Sequence, residues 1–191
     1  TGLHTEIIDE NKLAEHGWVD RGVPHRIKFD LFDLFPNESQ IMFFDADIVF
    51  LRKFETADFV GDDRFVCVPD TPGADWIRHE SAMIGIQPEH YFNSGFFIAN
   101  RSKHIGMFQM ASYLERMVHS GFFEQSYFNW ARRLCGVQML LLPQNFNHLE
   151  FFKKDHSETV IGHFISHNFR PYSTGECIEI MNHFFEQRPE K

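Results

Sequence analysis

One motif constrains the fold of this chain more than any other feature: the segment IMFFDADIVFL, residues 41–51. Four apolar residues stand directly before Asp45, a pattern typical of a buried strand in a parallel sheet. Asp47 follows two residues later, and in an extended segment that spacing puts both carboxylates on one face. Burying two carboxylates without a partner is costly. We therefore expect a cation or a basic side chain beside them, although an isolated Asp-x-Asp triplet is more often a solvated turn.

The other apolar segments alternate between strand and helix patterns. Strands are predicted at 4–9, 41–44, 64–68, 95–99, 137–142 and 159–165, and helices at 27–35, 104–119 and 124–134. This alternation predicts an α/β fold with a mainly parallel central sheet, in which ligands bind beyond the carboxyl ends of the strands. The length of 191 residues suits one domain, residues 1–191.

Composition excludes some classes of function. The net charge of −9 argues against a nucleic-acid partner, because phosphate backbones require a basic face. No apolar run reaches the length of a membrane span. Cys67, Cys135 and Cys177 are widely spaced and predict neither a zinc site nor a disulfide framework. They favour a reducing compartment and a cytoplasmic location, with peripheral membrane contact left open. The 23 Phe residues predict an aromatic core, or in part a cleft for a sugar or lipid acceptor.

Three further motifs each allow a structural and a functional interpretation. In YFNSGFF, Asn93 and Ser94 form an ordinary turn, or they face sugar hydroxyls where a glycine permits close approach. In EQSYFN, Glu124 starts a helix at the positive end of its dipole. In HFISHNFRPY, His163 is a core histidine or a metal ligand, with the histidine four residues later as its competitor. Arg170 is a surface charge or a diphosphate clamp.

Together and in this order, the four motifs resemble glycosyltransferase family 8, whose members are retaining enzymes. The D-x-D strand and the F-N-S-G strand match the family patterns well. Glu124 and Ser126 stand where the family's D-Q-D-x-x-N has Asp. Ser166, Arg170 and Tyr172 replace Gly, Lys and Trp in its late H-F-x-G-x-x-K-P-W, which here contains one extra residue.

The resemblance implies a GT-A (Rossmann-like) nucleotide-diphospho-sugar transferase that moves a hexose from a UDP-sugar to an acceptor hydroxyl with retention. It implies Mn²⁺ or Mg²⁺ held by Asp45, Asp47 and His163. It places Gln125 beneath the anomeric carbon, with Glu124 beside it. The donor-binding residues on this hypothesis are Arg26, Lys28, Asp70, Asn93, Ser94 and Arg170. The acceptor, whether saccharide, lipid or protein, is not identified.

Two alternative functions remain open, and the resemblance also implies a strand-helix unit before the present sequence. Haloacid dehalogenase-like phosphatases also place D-x-D after an apolar strand, but Ile48 and Val49 stand where their pattern has Gly-Thr or Thr-Leu. The second alternative is an inactive domain that binds a sugar or nucleotide. The family also opens with a strand and helix that help hold the nucleobase. We expect this unit of roughly 30 residues to lie upstream of the present chain.

Overall fold

The computed structural model describes residues 6–15, 24–53, 59, 61–71, 73–118, 124–149, 157–164, 176, 179 and 182–183. In chain order the elements are α1 (Glu10–Glu15), α2 (Leu31–Leu34), β1 (Gln40–Phe44), β2 (Ile48–Phe50), β3 (Phe65–Pro69), α3 (Asp75–Ile84), β4 (Phe92–Asn100), α4 (Arg101–Met117), α5 (Glu124–Leu134), β5 (Met139–Leu141) and β6 (Ile161–His163). Short 3₁₀ helices cover Pro24–Asp30, Pro88–His90 and Gln144–Phe146.

In the described part of the chain, four strands form the central sheet in the order β1-β4-β3-β5. β4 is antiparallel to both of its neighbours, whereas β3 and β5 are parallel. Three strands therefore run in one direction and β4 runs in the other, within the predicted α/β class. One consequence matters for function: the first residues of β4 lie at the same edge of the sheet as the carboxyl ends of β1 and β3.

The core lies on both faces of β4, because successive side chains of a strand point to opposite faces. Phe97 joins the aromatic layer under α4 and α5, together with Phe65, Phe108 and Phe128. Phe96 faces the second cluster, which includes residues of β2 and β6. Every residue of β4 except Asn100 is buried. Asn100 instead caps the start of α4, where its side chain accepts a hydrogen bond from the Ser102 amide.

Several predictions of local structure need correction. Residues 6–9 are not a strand, and the helix predicted over 27–35 is a 3₁₀ helix up to Asp30 that continues as the short α2. Residues 41–44 form β1 as predicted, but this strand is only half-buried and pairs antiparallel with β4. The physical reason is its position, because β1 is an outermost strand of the central sheet in the described part of the chain.

The late strand predicted over 159–165 does not join the central sheet. β6 pairs antiparallel with β2 in a separate two-stranded sheet, with Ile48 opposite His163. Neither β2 nor α3 was predicted from the sequence. Among the described residues, no helix is both long and apolar enough to cross a membrane.

Candidate functional site

Three side chains form a group at the edge of the central sheet where β1 ends. Asp45, Asp47 and His163 each offer one ligand atom, and these atoms lie within 4.8 Å of one another. His163 Nε2 is 3.1 Å from Asp47 Oδ1 and 4.0 Å from Asp45 Oδ2. Two carboxylates with one imidazole nitrogen suit Mn²⁺ and similar divalent ions. The donor set therefore fits the metal that the sequence led us to expect.

The local structure gathers these residues in a way that the sequence did not indicate. The chain turns at residues 46–47, so a turn rather than an extended strand brings Asp45 and Asp47 together. The prediction that His163 lies at the carboxyl end of a neighbouring strand in the central sheet is wrong. His163 comes from β6, whose antiparallel pairing with β2 puts it beside Asp47. The Phe164 amide also donates to the Asp47 carbonyl at 2.9 Å, which holds the two segments together.

Gly95 in β4 makes room for the His163 ring. A Cβ atom at this position would lie 2.3 Å from His163 Cε1 and 2.9 Å from His163 Nδ1. The Gly95 carbonyl also accepts a hydrogen bond from the Asp45 amide at 2.8 Å. The sequence suggested that this glycine permits close approach of a sugar, whereas the structure shows that the group approaching it is the imidazole of His163.

Lys28 is the basic side chain expected beside the two aspartates. It is 3% exposed, and its Nζ lies 2.9 Å from Asp45 Oδ1 and 3.1 Å from Glu124 Oε1. Burial opposes the charged form, but the charges of Asp45 and Glu124 outweigh it and raise the pKa of Lys28. Ser94 Oγ donates to Glu124 Oε1 at 3.2 Å. Lys28 is therefore a fixed positive charge at neutral pH, held between β1 and the start of α5.

Gln125 is held at both ends of its amide. Its Nε2 donates to Asp70 Oδ2 at 2.7 Å, and its Oε1 accepts from the Ser94 amide at 3.0 Å. Asn93 Nδ2 donates to the same Asp70 oxygen at 3.0 Å. All three side chains, on Asp70, Asn93 and Gln125, are buried. The structure thus brings the residues predicted to face the sugar into one hydrogen-bond network. The Gln125 side-chain oxygen already accepts a hydrogen bond from a backbone amide.

Two other predicted donor-binding residues have different outcomes. Arg26 forms an ion pair with Glu115 of α4. Arg170, like the competing histidine His167, lies outside the described residues.

Two residues that the sequence analysis missed belong to this region. Asn147 is 2% exposed and contacts both His163 and Asn93. The sequence does contain a clue, because LLPQNFN leads out of β5, whose carboxyl end points to the same edge of the sheet. Glu80 of α3 accepts from the Tyr91 hydroxyl at 2.7 Å and also from Ser126. Ser126 stands where the D-Q-D-x-x-N pattern has its second Asp. Here its hydroxyl donates to a carboxylate from α3 instead.

Several solved structures that share this fold are glycosyltransferases. The galactosyltransferase LgtC, in a complex with donor and acceptor sugar analogues, matches with a TM-score of 0.62 and 17% identity over 87% of this chain and 67% of LgtC. The chain has a GT-A-like fold. The bifunctional glycosyltransferase WbbM matches with a TM-score of 0.58 and 14% identity, over 85% of this chain but 37% of WbbM.

GlyE of Streptococcus pneumoniae matches with a TM-score of 0.54 and 17% identity, over 86% of this chain and 47% of GlyE. The chain thus spans less than half the length of both WbbM and GlyE. No protein-family model matches the sequence, and no curated protein matches it either.

Proposed function

We propose that this protein is a metal-dependent glycosyltransferase that transfers a hexose from a UDP-sugar to an acceptor hydroxyl with retention of configuration. One observation carries the proposal: in a GT-A-like fold, Asp45, Asp47 and His163 converge beside the buried cation Lys28. A bound nucleotide diphosphate is stabilised by positive charge. This combination offers two sources of it, a divalent ion held by the three ligands and the ammonium group of Lys28. A cytoplasmic location is part of the same proposal.

The negative charge that develops on the departing diphosphate is the main problem for such a transfer. Asp45, Asp47 and His163 would hold Mn²⁺ or Mg²⁺, which would supply Lewis-acid stabilisation of the charge on the diphosphate. Lys28 adds a preorganised positive charge at the same edge, since its two carboxylate partners already fix its position. Arg170 is proposed as a second positive contact.

The buried network around Asp70 binds the transferred sugar in this proposal. Asp70 and Asn93 face its hydroxyl groups, and Ser94 lies next to them in β4. Gln125 lies below the anomeric carbon, where its amide dipole stabilises developing positive charge, with Glu124 beside it. Transfer proceeds on one face of the sugar. The bond from the anomeric carbon to the phosphate oxygen breaks as the bond to the acceptor oxygen forms, and the departing phosphate takes the acceptor proton.

The test uses turnover of UDP-sugars with and without Mn²⁺. Asp47→Asn removes a charged ligand and is expected to lower turnover about 100-fold or more while circular dichroism stays unchanged. Asp75→Asn is the matched control, because the Asp75 side chain in α3 is 94% exposed. NMR of the early product is expected to show the donor's anomeric configuration.

Three outcomes would contradict the proposal. They are full turnover in Asp47→Asn, turnover that a chelator does not affect, and inversion at the anomeric carbon. Tight binding of a UDP-sugar without any turnover would support the inactive binding domain instead. The glycosyltransferases among the solved structures that share the fold favour this proposal over a haloacid dehalogenase-like phosphatase.

A further inference from the structure

A line of buried side chains connects His163 to Asp70. His163 Nδ1 is 3.0 Å from Asn147 Oδ1, and Asn147 Nδ2 donates to Asn93 Oδ1 at 2.9 Å. Asn93 Nδ2 then donates to Asp70 Oδ2 at 3.0 Å. Each of the four side chains is buried, with Asn147 only 2% exposed. The metal-facing and sugar-facing halves of the site are therefore joined by one series of hydrogen bonds.

The direction of these hydrogen bonds is determined at Asn93. The Gly95 amide can only donate, and it donates to Asn93 Oδ1 at 2.8 Å. Asn93 therefore presents its oxygen to Asn147 and its NH₂ group to Asp70. Asn147 must then present its NH₂ group to Asn93 and its oxygen to His163. An amide oxygen cannot donate a proton, so His163 Nδ1 must carry one.

This direction decides which nitrogen of His163 is available to a metal. With a proton on Nδ1 held by Asn147, Nε2 is the nitrogen left to bind a metal, and it lies 3.1 Å from Asp47 Oδ1. Partners of this kind fix the tautomer and orientation of a ligating histidine, and replacing them typically lowers metal affinity about 10- to 100-fold. Asn147 is the partner in direct contact with the ring.

We propose that Asn147 is a positioning residue that selects the Nε2-ligating tautomer of His163 and couples it to the Asp70 network. The proposal rests on the proposed function for the identity of the metal group. It predicts that Mn²⁺ affinity depends on a residue that does not touch the ion. It also predicts that Gln125 is oriented by the same network, since Gln125 Nε2 donates to the same Asp70 oxygen.

Two substitutions separate the two contacts of Asn147. Asn147→Ala removes both, and we expect Mn²⁺ affinity to fall about 10- to 100-fold. Asn147→Asp keeps an acceptor for His163 Nδ1–H but removes the donor to Asn93. We expect this variant to retain most of the Mn²⁺ affinity while kcat falls, because Asn93 and Asp70 lose their fixed orientation. Asn145→Ala is the matched control in the same turn, since Asn145 donates to the Glu158 carbonyl instead.

The measurements are Mn²⁺ binding by electron paramagnetic resonance and imidazole ¹⁵N NMR of the metal-free protein. NMR is expected to show a proton on His163 Nδ1 in the wild type, in Asn147→Asp and in Asn145→Ala. In Asn147→Ala we expect Nδ1 to lose that proton at least in part, because Asp47 Oδ1, 3.1 Å from Nε2, is then the stronger acceptor. Wild-type Mn²⁺ affinity in Asn147→Ala, or the same loss of the Nδ1 proton in Asn147→Asp, would overturn the proposal. Because the NMR result needs no metal, a wild type that fails to bind Mn²⁺ contradicts only the proposed function.

Discussion

At the scale of single residues, Gly95 is the position where one added methyl group is expected to do most damage to the site. A Cβ atom there would lie 2.3 Å from His163 Cε1 and 2.8 Å from Asn93 Oδ1. Asn93 is buried and cannot move aside freely, so the His163 ring must shift to make room for the Cβ atom. We expect Gly95→Ala to weaken Mn²⁺ binding about tenfold or more, since the ring loses its alignment with Asp47. Calorimetric titration of Mn²⁺ measures this loss.

Gly106 is the matched control for that substitution. It lies within α4, and a Cβ atom at this position would meet nothing within 4 Å. Gly106→Ala is expected to raise the free energy of unfolding by about 0.5–1 kcal/mol, because glycine is unfavourable in a helix interior, and to leave Mn²⁺ binding unchanged. If Gly95→Ala bound Mn²⁺ as tightly as Gly106→Ala, the close packing of His163 on β4 would have no part in metal binding.

At the scale of elements, Lys28 joins the first 3₁₀ helix to β1 and α5 through two carboxylates. Lys28→Met removes the cation and leaves Asp45 and Glu124 facing one another. Their side chains are 28% and 13% exposed, so solvent compensates only in part. We expect the free energy of unfolding, measured by urea denaturation, to fall by about 3 kcal/mol. Lys103→Met is the control, because the Lys103–Asp63 pair is at the surface and contributes about 1 kcal/mol or less.

A second substitution identifies the cause of that loss. Adding Glu124→Gln to Lys28→Met removes one of the two carboxylate charges that then face one another, so we expect the double variant to regain part of the lost stability. A double variant as unstable as the sum of the two single variants would show that Lys28 acts through packing rather than through charge.

The elements also show where prediction from sequence succeeded. The bounds of α5 were predicted correctly, since Glu124 lies in its first turn and Arg132 and Arg133 lie in its last. β4 was predicted too short, because Asn93 and Ser94 have turn propensity. In the fold they are strand residues, and their polar groups are satisfied by Asp70 and Gln125. Contacts made across the chain overrode local preference there.

The site was predicted less completely than the elements, for reasons of distance along the chain. Asp45 and Asp47 stand out because two charges interrupt an apolar run, and His163 followed from the order of the motifs. Asn147 carries no charge, and the sequence offers just its position after β5 as a clue, because its partners are 16 and 54 positions away in the chain. Lys28 was named, but its partner Glu124 is 96 positions away and no local pattern connects the two.

At the scale of the whole molecule, Phe97 connects the central sheet to the helices that cover it. Its ring centroid lies 5.1 Å from that of Phe43 in β1 and 5.3 Å from that of Phe65 in β3. On the helix side it lies 5.8 Å from Phe108 in α4 and 5.9 Å from Phe128 in α5. Four elements therefore depend on this one buried side chain for part of their packing.

The consequence is that loss of the Phe97 ring should weaken the fold as a unit. We expect Phe97→Ala to lower the free energy of unfolding by about 3–5 kcal/mol, which corresponds to a fall in Tm of roughly 6–20 °C for a chain of this size. Tyr113→Ala is the control, because Tyr113 in α4 is 53% exposed. Differential scanning calorimetry is expected to show one transition in both variants, as the prediction of one domain requires. A Phe97→Ala melt that split into two transitions, with the upper one unchanged, would mean that the helices and the sheet do not unfold together.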